Sequence, residues 1–147
     1  MSVAHICSRD VDVVEADASA RDAARRMLER EVGTLVVLDR SGRPAGIVTD
    51  RDLAFRVIAA GRRPENTRVR EISSAPVRTI AEGASVDAAI TVLREAACRQ
   101  LPVVNGEGKV VGLLRLDDVL STWGLDVGRS RRRPLEPLPR RGPDSQS

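Results

Sequence analysis

Apolar residues recur along the chain with two different spacings, which predict helices and strands in a repeating order. Over residues 20–28 and again over 86–97 they lie three and four positions apart, so each stretch is predicted to form an amphipathic helix. Ser19 and Ser85 precede these helices and are suitable N-caps, because a serine hydroxyl accepts a hydrogen bond from a helix N–H that has no other partner. Short apolar runs predict strands at 11–15, 35–38, 44–49, 77–80, 101–104 and 110–115.

Glycine-containing turns separate these strands and end the remaining helices. Asp39–Gly42 and Asn105–Gly108 predict the reversals between consecutive strands. A second helix is predicted over Asp50–Ala60, ended by Gly61, and its counterpart over about Leu116–Trp123, ended by Gly124. The predicted order β-α-β-β-α therefore occurs twice.

The chain also repeats at the level of individual residues. A shift of 66 positions aligns Val3–Asp52 with Val69–Asp118 without a gap and gives thirteen identities. One unit of about 60 residues buries too little surface to be stable alone, so the two copies are expected to share a core. The predicted organisation is a first repeat over 1–62, a linker over 63–68, a second repeat over 69–124 and a tail over 125–147.

Composition and charge argue against nucleic-acid binding by the part of the chain that precedes the tail. With one Phe, one Trp and no Tyr, the chain lacks the aromatic faces that stack on single-stranded nucleic acid. Of the net charge of +3, the six arginines and two acids from Arg129 onward account for +4, so residues 1–128 carry −1. This Arg/Pro-rich tail is predicted to be disordered, and it is the one part suited to nucleic acid, an acidic partner or an anionic membrane. A solvated tail without a partner is the alternative.

Cysteine, histidine and apolar run length add further expectations. Cys7 and Cys98 have no metal-ligand spacing, and Cys98 is expected to pack as a small hydrophobic residue, with a disulfide to Cys7 as the alternative. His5 has no partner from which a nucleophile–base set could be assembled, so the chain is not expected to be an enzyme. No segment reaches about 18 consecutive apolar residues, and a cytoplasmic protein without a membrane span is expected.

The repeat carries a recognisable motif. The stretch Gly46-Ile-Val-Thr-Asp-Arg-Asp-Leu53, together with Leu101–Val104 and Gly112–Val119, resembles the cystathionine-β-synthase (CBS) domain family. The resemblance covers about residues 3–123. It implies an α+β (α/β-like) fold in which two β-α-β-β-α CBS repeats pack through their sheets as a pseudo-two-fold pair, known as a Bateman module.

The resemblance also implies a ligand site between the repeats. The family motif Gly-h-x-Thr/Ser-x-x-Asp, in which h is hydrophobic, is matched in full by Gly46, Thr49 and Asp52. Gly46 permits close backbone approach, Thr49 lies where a phosphate would meet free N–H groups, and the carboxylate of Asp52 suits the two ribose hydroxyls. Arg51 adds a positive charge for a phosphate. Alternatively, Thr49 and Asp52 only cap the helix.

The second copy of the motif departs from the pattern. Gly112 and Asp118 are kept, but Arg115 stands in place of the Thr or Ser, where it either reaches a phosphate or fills the cleft. One occupied site is therefore expected rather than two. Further contacts implied by the resemblance are phosphate contacts at Arg99 and Gln100, a ligand contact at Pro102, and adenine contacts at Val11, Val13, Val77 and Thr79.

Taken with the absence of an effector domain, the resemblance implies a regulatory module. It would bind AMP, ADP or ATP, with NAD or S-adenosylmethionine as lesser candidates, and require no cofactor and no metal. It would signal by a conformational or dimer change, as a homodimer acting on a regulated protein that the sequence does not identify. The alternatives are a ligand-free interaction module and a nucleic-acid-associated protein acting through its basic tail.

Overall fold

The computed structural model describes residues 1–75 and 77–122 and divides them into two similar halves. In the first half, β1 spans Val13–Glu15, α1 Ala20–Arg30, β2 Thr34–Leu38, β3 Pro44–Thr49 and α2 Asp50–Leu53. In the second half, α3 spans Val69–Ile72, β4 Ile80–Ala81, α4 Val86–Glu95, β5 Gln100–Val104, β6 Val110–Arg115 and α5 Leu116–Thr122. Short 3-10 helices lie at Val3–His5 and Pro64–Asn66. The predicted tail, with Trp123 and Gly124, falls outside the described residues.

Each half is built on one three-stranded sheet, in the orders β1-β2-β3 and β4-β5-β6. The first strand of each sheet pairs with the second in parallel, and the second pairs with the third antiparallel. Both antiparallel ladders shift register near their far ends, at Val37/Leu38 and Val103/Val104. These features confirm the α+β fold of two β-α-β-β-α repeats.

The serine N-caps are confirmed. The hydroxyl of Ser19 accepts a hydrogen bond from the backbone N–H of Asp22 at 3.0 Å, and that of Ser85 accepts one from Ala88 at 3.1 Å. Each hydroxyl thereby satisfies a first-turn donor that has no partner inside the helix.

Several elements differ from the predicted bounds: β2 and β5 each begin one residue earlier, α4 ends at Glu95, and three further elements differ as follows. Strand β1 begins at Val13, where pairing with Val36 begins, and not at residue 11. Strand β4 is limited to Ile80–Ala81, which pair with Val103 and Val104, and Ser74 earlier in the chain pairs with Ile47 of the first repeat. The helix predicted over Asp50–Ala60 changes to a π-helical turn at Ala54–Ile58 before Gly61 ends it with a φ of 70°.

The two repeats exchange short segments between their hydrophobic cores. Val69 and Ile72 precede the second sheet in sequence, yet they are fully buried in the core of the first repeat. Val3, at the start of the chain, is fully buried in the core of the second. We call residues 69–74 the crossover segment and residues 3–8 the N-terminal segment.

Backbone hydrogen bonds hold both segments in equivalent places. The N–H of Val69 donates to the carbonyl of Ala18 at 2.9 Å, and the N–H of Val3 donates to that of Ala84 at the same distance. Farther along the crossover segment, Ser74 and Ile47 exchange bonds of 2.9 and 3.2 Å; Ser8 and Leu113 exchange bonds of 3.0 and 2.8 Å. Each repeat therefore closes its core with residues that flank the other.

The sheets are also buried on the faces turned away from their own cores. Side chains alternate between the two faces of a strand, so Val36 points away from the core that receives Leu35 and Val37. Val36 is nonetheless fully buried, and Pro102, its counterpart in β5, is buried too. This burial agrees with repeats that pack through their sheets.

Candidate ligand site

The first motif lies at the corner between β3 and α2. Thr49 is the N-cap of α2, and its hydroxyl accepts a hydrogen bond from the backbone N–H of Asp52 at 3.2 Å. Oδ2 of Asp52 in turn accepts from the backbone N–H of Thr49 at 2.9 Å and from its hydroxyl at 3.0 Å. This is a capping box, and it holds the carboxylate in one orientation with 15% of its side chain exposed.

Two arginines stand beside this corner. Arg56, one helical turn beyond Asp52, places Nε 3.8 Å from Oδ1 of the carboxylate. The guanidinium of Arg51 lies over the ring of Phe55, with 4.9 Å between Cζ and the ring centroid. Both side chains are exposed, so the corner combines an oriented carboxylate with cations that face solvent.

The corresponding corner of the second repeat is built differently. The backbone N–H of Arg115 donates to Oδ2 of Asp118 at 3.2 Å, so the carboxylate half of the capping box is kept. Arg115 has no hydroxyl to accept the reciprocal bond, and its side chain is exposed. The two corners are therefore chemically unequal, because the second has an arginine where the first has the hydroxyl of Thr49.

A row of four residues joins the two corners. In the first sheet Thr34 is the partner of Thr49, and in the second Gln100 is the partner of Arg115. The side-chain amide of Gln100 donates to the hydroxyl of Thr34 at 3.4 Å, from one repeat to the other. The structure thus brings Gln100 close to the first motif, whereas Pro102 is buried within β5 and Arg99 is exposed.

The motif glycines make room for neighbouring backbone. A Cβ added to Gly46 would lie 2.6 Å from the carbonyl oxygen of Ser74 in the crossover segment. One added to Gly112 would lie 2.8 Å from Sγ of Cys7 and 3.0 Å from the carbonyl oxygen of Ser8. The close approach expected of these glycines is therefore made by an exchanged segment. The sequence places Ser8 and Ser74 at the common offset of 66 positions but carries no signal that either segment lies against the opposite repeat.

The residues assigned to the adenine are half-buried around the first strands. Val13 lies in β1 and pairs with Val36, whereas Val11, Val77 and Thr79 precede the strands that were predicted to contain them. Their partial exposure leaves apolar surface at the start of each sheet.

Other parts of the described chain contribute little to this site. Among residues 1–75 and 77–122, no group of three His, Cys, Asp or Glu is arranged to hold a metal ion. Cys7 and Cys98 are free thiols packed against the second core. A hollow of about 300 Å³ lies at the other end of the first sheet, lined by Glu15, Ala16, Asp17, Leu38, Asp39, Arg40 and Gly42. No helix in these two stretches is both long and apolar enough to span a membrane.

Sequence relatives match most of the chain but are longer than it. An uncharacterised protein of Methanopyrus kandleri is 32% identical over 120 residues, which are 82% of this chain and 61% of the relative. Inosine-5′-monophosphate dehydrogenase of Mycobacterium leprae is 39% identical over 92 residues, which are 62% of this chain and 16% of the dehydrogenase. The chain thus spans less than two thirds of either protein.

Solved structures share the fold over nearly their whole length. A putative signal-transduction protein with CBS domains from Burkholderia ambifaria superposes with a TM-score of 0.71 at 33% identity, covering 84% of this chain and 93% of that one. The CBS domain pair of the protein MJ0100, in complex with 5′-methylthioadenosine and S-adenosyl-L-methionine, has a TM-score of 0.72 at 24% identity and covers 84% and 96%. The protein CBSX2, in complex with AMP, has a TM-score of 0.67 at 24% identity and covers 83% and 95%. The last two likenesses show the fold alone.

The family assignment agrees with the repeat found in the sequence. The family model of the CBS domain matches residues 3–59 and again residues 69–123. The first match ends beyond the corner of Thr49 and Asp52, and the second beyond that of Arg115 and Asp118. The chain therefore belongs to the CBS domain family, as a tandem pair of CBS domains.

Proposed function

We propose that this CBS pair is a non-catalytic, cytoplasmic regulatory module that binds an adenine nucleotide or another adenosyl ligand between its repeats. The observation that carries the proposal is the corner at Thr49 and Asp52. The capping box orients the Asp52 carboxylate. Its Oδ1 lies beside the guanidinium of Arg56, at the Thr49 end of the row of residues that joins the repeats. A ribose diol donates two hydrogen bonds, and an oriented carboxylate is a suitable acceptor for both.

Proteins of the same fold support the adenosyl class of ligand. One such CBS pair was solved with 5′-methylthioadenosine and S-adenosyl-L-methionine, and another protein was solved with AMP. All three compounds contain adenine joined to a ribose and differ in what extends from the 5′ carbon. We therefore assign the ribose to Asp52 and the adenine to the half-buried surface at Val11 and Val13, with Val77 and Thr79 in the equivalent place of the second repeat.

The charges around the row support a phosphate-bearing ligand. Arg51, Arg99 and Arg115 are exposed, and each belongs to the row or lies within two residues of one of its members along the chain. A guanidinium matches a phosphate in both charge and geometry. We propose AMP, ADP or ATP ahead of the cationic S-adenosylmethionine on this ground. The corner of the first repeat is proposed as the working site, because it alone combines the hydroxyl of Thr49 with the oriented carboxylate.

A homodimer is the proposed form of the module, and one exposed patch supports it. Phe55 and Ile58, in the π-helical turn, are 59% and 69% exposed, and Leu28 on α1 is 64% exposed. The positions equivalent to Leu28 and Phe55 in the second repeat are the exposed Arg94 and Ser121, so at these two positions the apolar side chain is found in the first repeat only. Ligand binding would then act on a regulated protein by shifting the module between two arrangements of the repeats or of the dimer. The size of this shift is set by the difference in the affinity of the ligand for the two arrangements.

The capping box itself favours one alternative, a ligand-free interaction module. Thr49 and Asp52 satisfy each other and cap α2 without any ligand, which is sufficient to explain both residues structurally. The two functions are separable because capping contributes to stability in all conditions, whereas a ligand contributes only when it is present.

Thermal unfolding in the presence of nucleotides tests the proposal. AMP, ADP, ATP, NAD and S-adenosylmethionine are compared, with GTP as control. When the free ligand concentration is 100 times the dissociation constant, binding at one site adds about 2.7 kcal/mol to the free energy of unfolding. This stabilisation raises Tm by several degrees.

Asp52→Ala should abolish this ligand-induced shift, and the matched variant Asp118→Ala, at the same place in the second repeat, should keep it. The comparison uses the shift and not Tm itself, because losing a cap costs about 1 kcal/mol without any ligand. No shift with any adenosyl compound, or an unchanged shift in Asp52→Ala, would reject the assignment.

A further inference from the structure

Arg56 contacts both the candidate ligand carboxylate and the crossover segment. Its Nε lies 3.8 Å from Oδ1 of Asp52, and its Nη1 donates a hydrogen bond to the backbone carbonyl of Ile72 at 3.2 Å. The side chain of Ile72 is fully buried in the core of the first repeat. One guanidinium therefore spans the distance between the corner and a segment that leads into the second repeat.

The two oxygens of Asp52 have different surroundings. Oδ2 already accepts two hydrogen bonds from Thr49, which occupy its two lone pairs. Within the part of the chain that the structure describes, no hydrogen bond reaches Oδ1, and the cation that faces it is Arg56. Hydroxyl groups of a ribose would thus meet the oxygen that Arg56 already faces.

The second contact of Arg56 is with the crossover segment, which several hydrogen bonds and an ion pair hold in place. The crossover segment is held by Val69 on Ala18 and by Ser74 on Ile47. It also carries the ion pair of Glu71 with Arg62 at 2.8 Å, on its exposed side. Arg56 adds a contact to the carbonyl of Ile72, between the two points at which the backbone of this segment is held on the first repeat.

In the second repeat, the residue at the position of Arg56 makes a different contact. Thr122 occupies the position of Arg56, and its hydroxyl donates to the carbonyl of Val119 within its own helix at 2.6 Å. A threonine side chain is too short to span from the corner to the N-terminal segment. The link through Arg56 thus belongs to the repeat in which the motif is complete.

We propose that Arg56 is a positioning residue that transmits occupancy of the first site to the crossover segment. The inference rests on the proposed adenosyl site. A bound ribose removes water from around Asp52, and the attraction between its carboxylate and Arg56 strengthens as the local dielectric constant falls. The fixed guanidinium then holds the carbonyl of Ile72 more firmly. By linkage, firmer docking of the crossover segment raises the affinity for the ligand by the same factor.

Amide hydrogen exchange at the crossover segment measures this coupling directly. The N–H groups of Ser73 and Ser74 are the probes, since they donate to the carbonyls of Val69 and Ile47. Exchange is followed in the full chain with and without AMP, ADP and ATP in parallel. For the nucleotide that binds, we expect exchange to slow by about five-fold, at the lower end of coupling between sites.

Three variants separate the link from its neighbours. Arg56→Gln removes the charge and should abolish the slowing while weakening nucleotide binding by a similar factor. Arg56→Lys keeps a charge near Asp52 but cannot present a second nitrogen to Ile72, so the slowing should be lost and, by the same linkage, nucleotide binding should weaken by the matching factor. Arg62→Gln removes the ion pair to Glu71 on the same segment and should keep the slowing, because it does not touch Asp52.

The possible failures point to different parts of the proposal. If the wild-type chain binds a nucleotide but exchange at Ser73 and Ser74 does not change, or if Arg56→Gln slows as the wild type does, the link through Arg56 is rejected and the site stands. If the wild-type chain binds none of the three nucleotides, the proposed function and the link are rejected together.

Discussion

The side-chain amide of Gln100 donates a hydrogen bond to the hydroxyl of Thr34 across the boundary between the repeats, at 3.4 Å. The two residues occupy the same place in their repeats, 66 positions apart. Each begins the middle strand of its sheet and pairs with a motif residue, Thr34 with Thr49 and Gln100 with Arg115. The two corners are therefore neighbours of one shared polar contact.

A double-mutant cycle on this pair should show weak coupling. Thr34→Val and Gln100→Leu each remove one partner while keeping much of the side-chain volume. Because 3.4 Å is long for a hydrogen bond, we expect a coupling free energy of about 0.5 kcal/mol, the low end for such bonds. Urea unfolding of the wild type, both single variants and the double variant measures it. Coupling above about 1.5 kcal/mol would show that the contact belongs to a larger network.

The order of the elements was predictable because it depends on local signals that occur twice. The capping hydroxyls of Ser19 and Ser85 and the turn glycines Gly42 and Gly108 each act within a few residues of the chain. Each signal occurs twice at the constant offset of 66 positions, so the two copies support the same order of elements. The complete motif at Thr49 and Asp52 was predictable for the same reason.

The exchange of segments was not predictable, because nothing local distinguishes it. Val3 and Val69 look like ordinary apolar residues at the start of each repeat, and only the tertiary structure shows that each is buried in the opposite core. The role of Arg56 was not predictable from the sequence for a related reason. It contacts Ile72 through a backbone carbonyl, and such a contact leaves no pattern in side-chain chemistry.

Gly46 should tolerate no side chain. A methyl group there would meet the carbonyl oxygen of Ser74 at 2.6 Å, and backbone atoms cannot rotate away as a side chain does. We expect Gly46→Ala to cost about 1–3 kcal/mol, as overpacked sites do. Gly83→Ala is the control, because nothing lies within 4 Å of its added Cβ. Denaturant midpoints measure both, and equal stability of the two variants would contradict the close approach.

A left-handed residue after α4 offers a stabilising substitution. Ala97 has a φ of 49°, a region in which glycine is favoured over residues with a Cβ. Ala97→Gly should therefore stabilise the chain by up to about 1 kcal/mol. Ala96→Gly, one residue earlier in a right-handed conformation, should destabilise it by a similar amount. Melting temperatures of the two variants should move in opposite directions from that of the wild type.

Acid should weaken the attachment of the crossover segment through Glu71. Its pKa is held below the ordinary value of 4.5 first by the backbone N–H of Arg68, which donates to the carboxylate, and then by Arg62. A lowered pKa means that the contribution to stability is present above about pH 4.5 and is lost as the pH falls through the pKa of the folded state.

Glu71→Gln tests this pH dependence. The difference in urea midpoint between the wild type and Glu71→Gln should be steady from about pH 6 to about pH 5 and then shrink as the pH falls towards about 3. Arg62→Gln should reduce the pH-dependent part without removing it, because the bond from the Arg68 N–H remains. A difference that stays constant over this range would mean that the carboxylate charge contributes nothing.

The exposed patch of the first repeat should determine how two copies associate. Phe55 and Ile58 expose apolar surface, and a two-fold interface places the same patch of both copies in contact. Phe55→Asp, combined with Ile58→Asp, should therefore convert a dimer to a monomer, because four carboxylates would face one another across the axis. Size-exclusion chromatography with light scattering measures the mass of the protein in solution directly.

The matched control is Ser121→Asp, which adds a charge at the position equivalent to Phe55 in the second repeat. It should leave the dimer intact if like repeats meet across the axis. If instead the first repeat of one copy meets the second repeat of the other, Ser121→Asp will weaken association as well. A dimer that survives the double substitution would place the interface elsewhere and leave Phe55 and Ile58 exposed in the assembled protein.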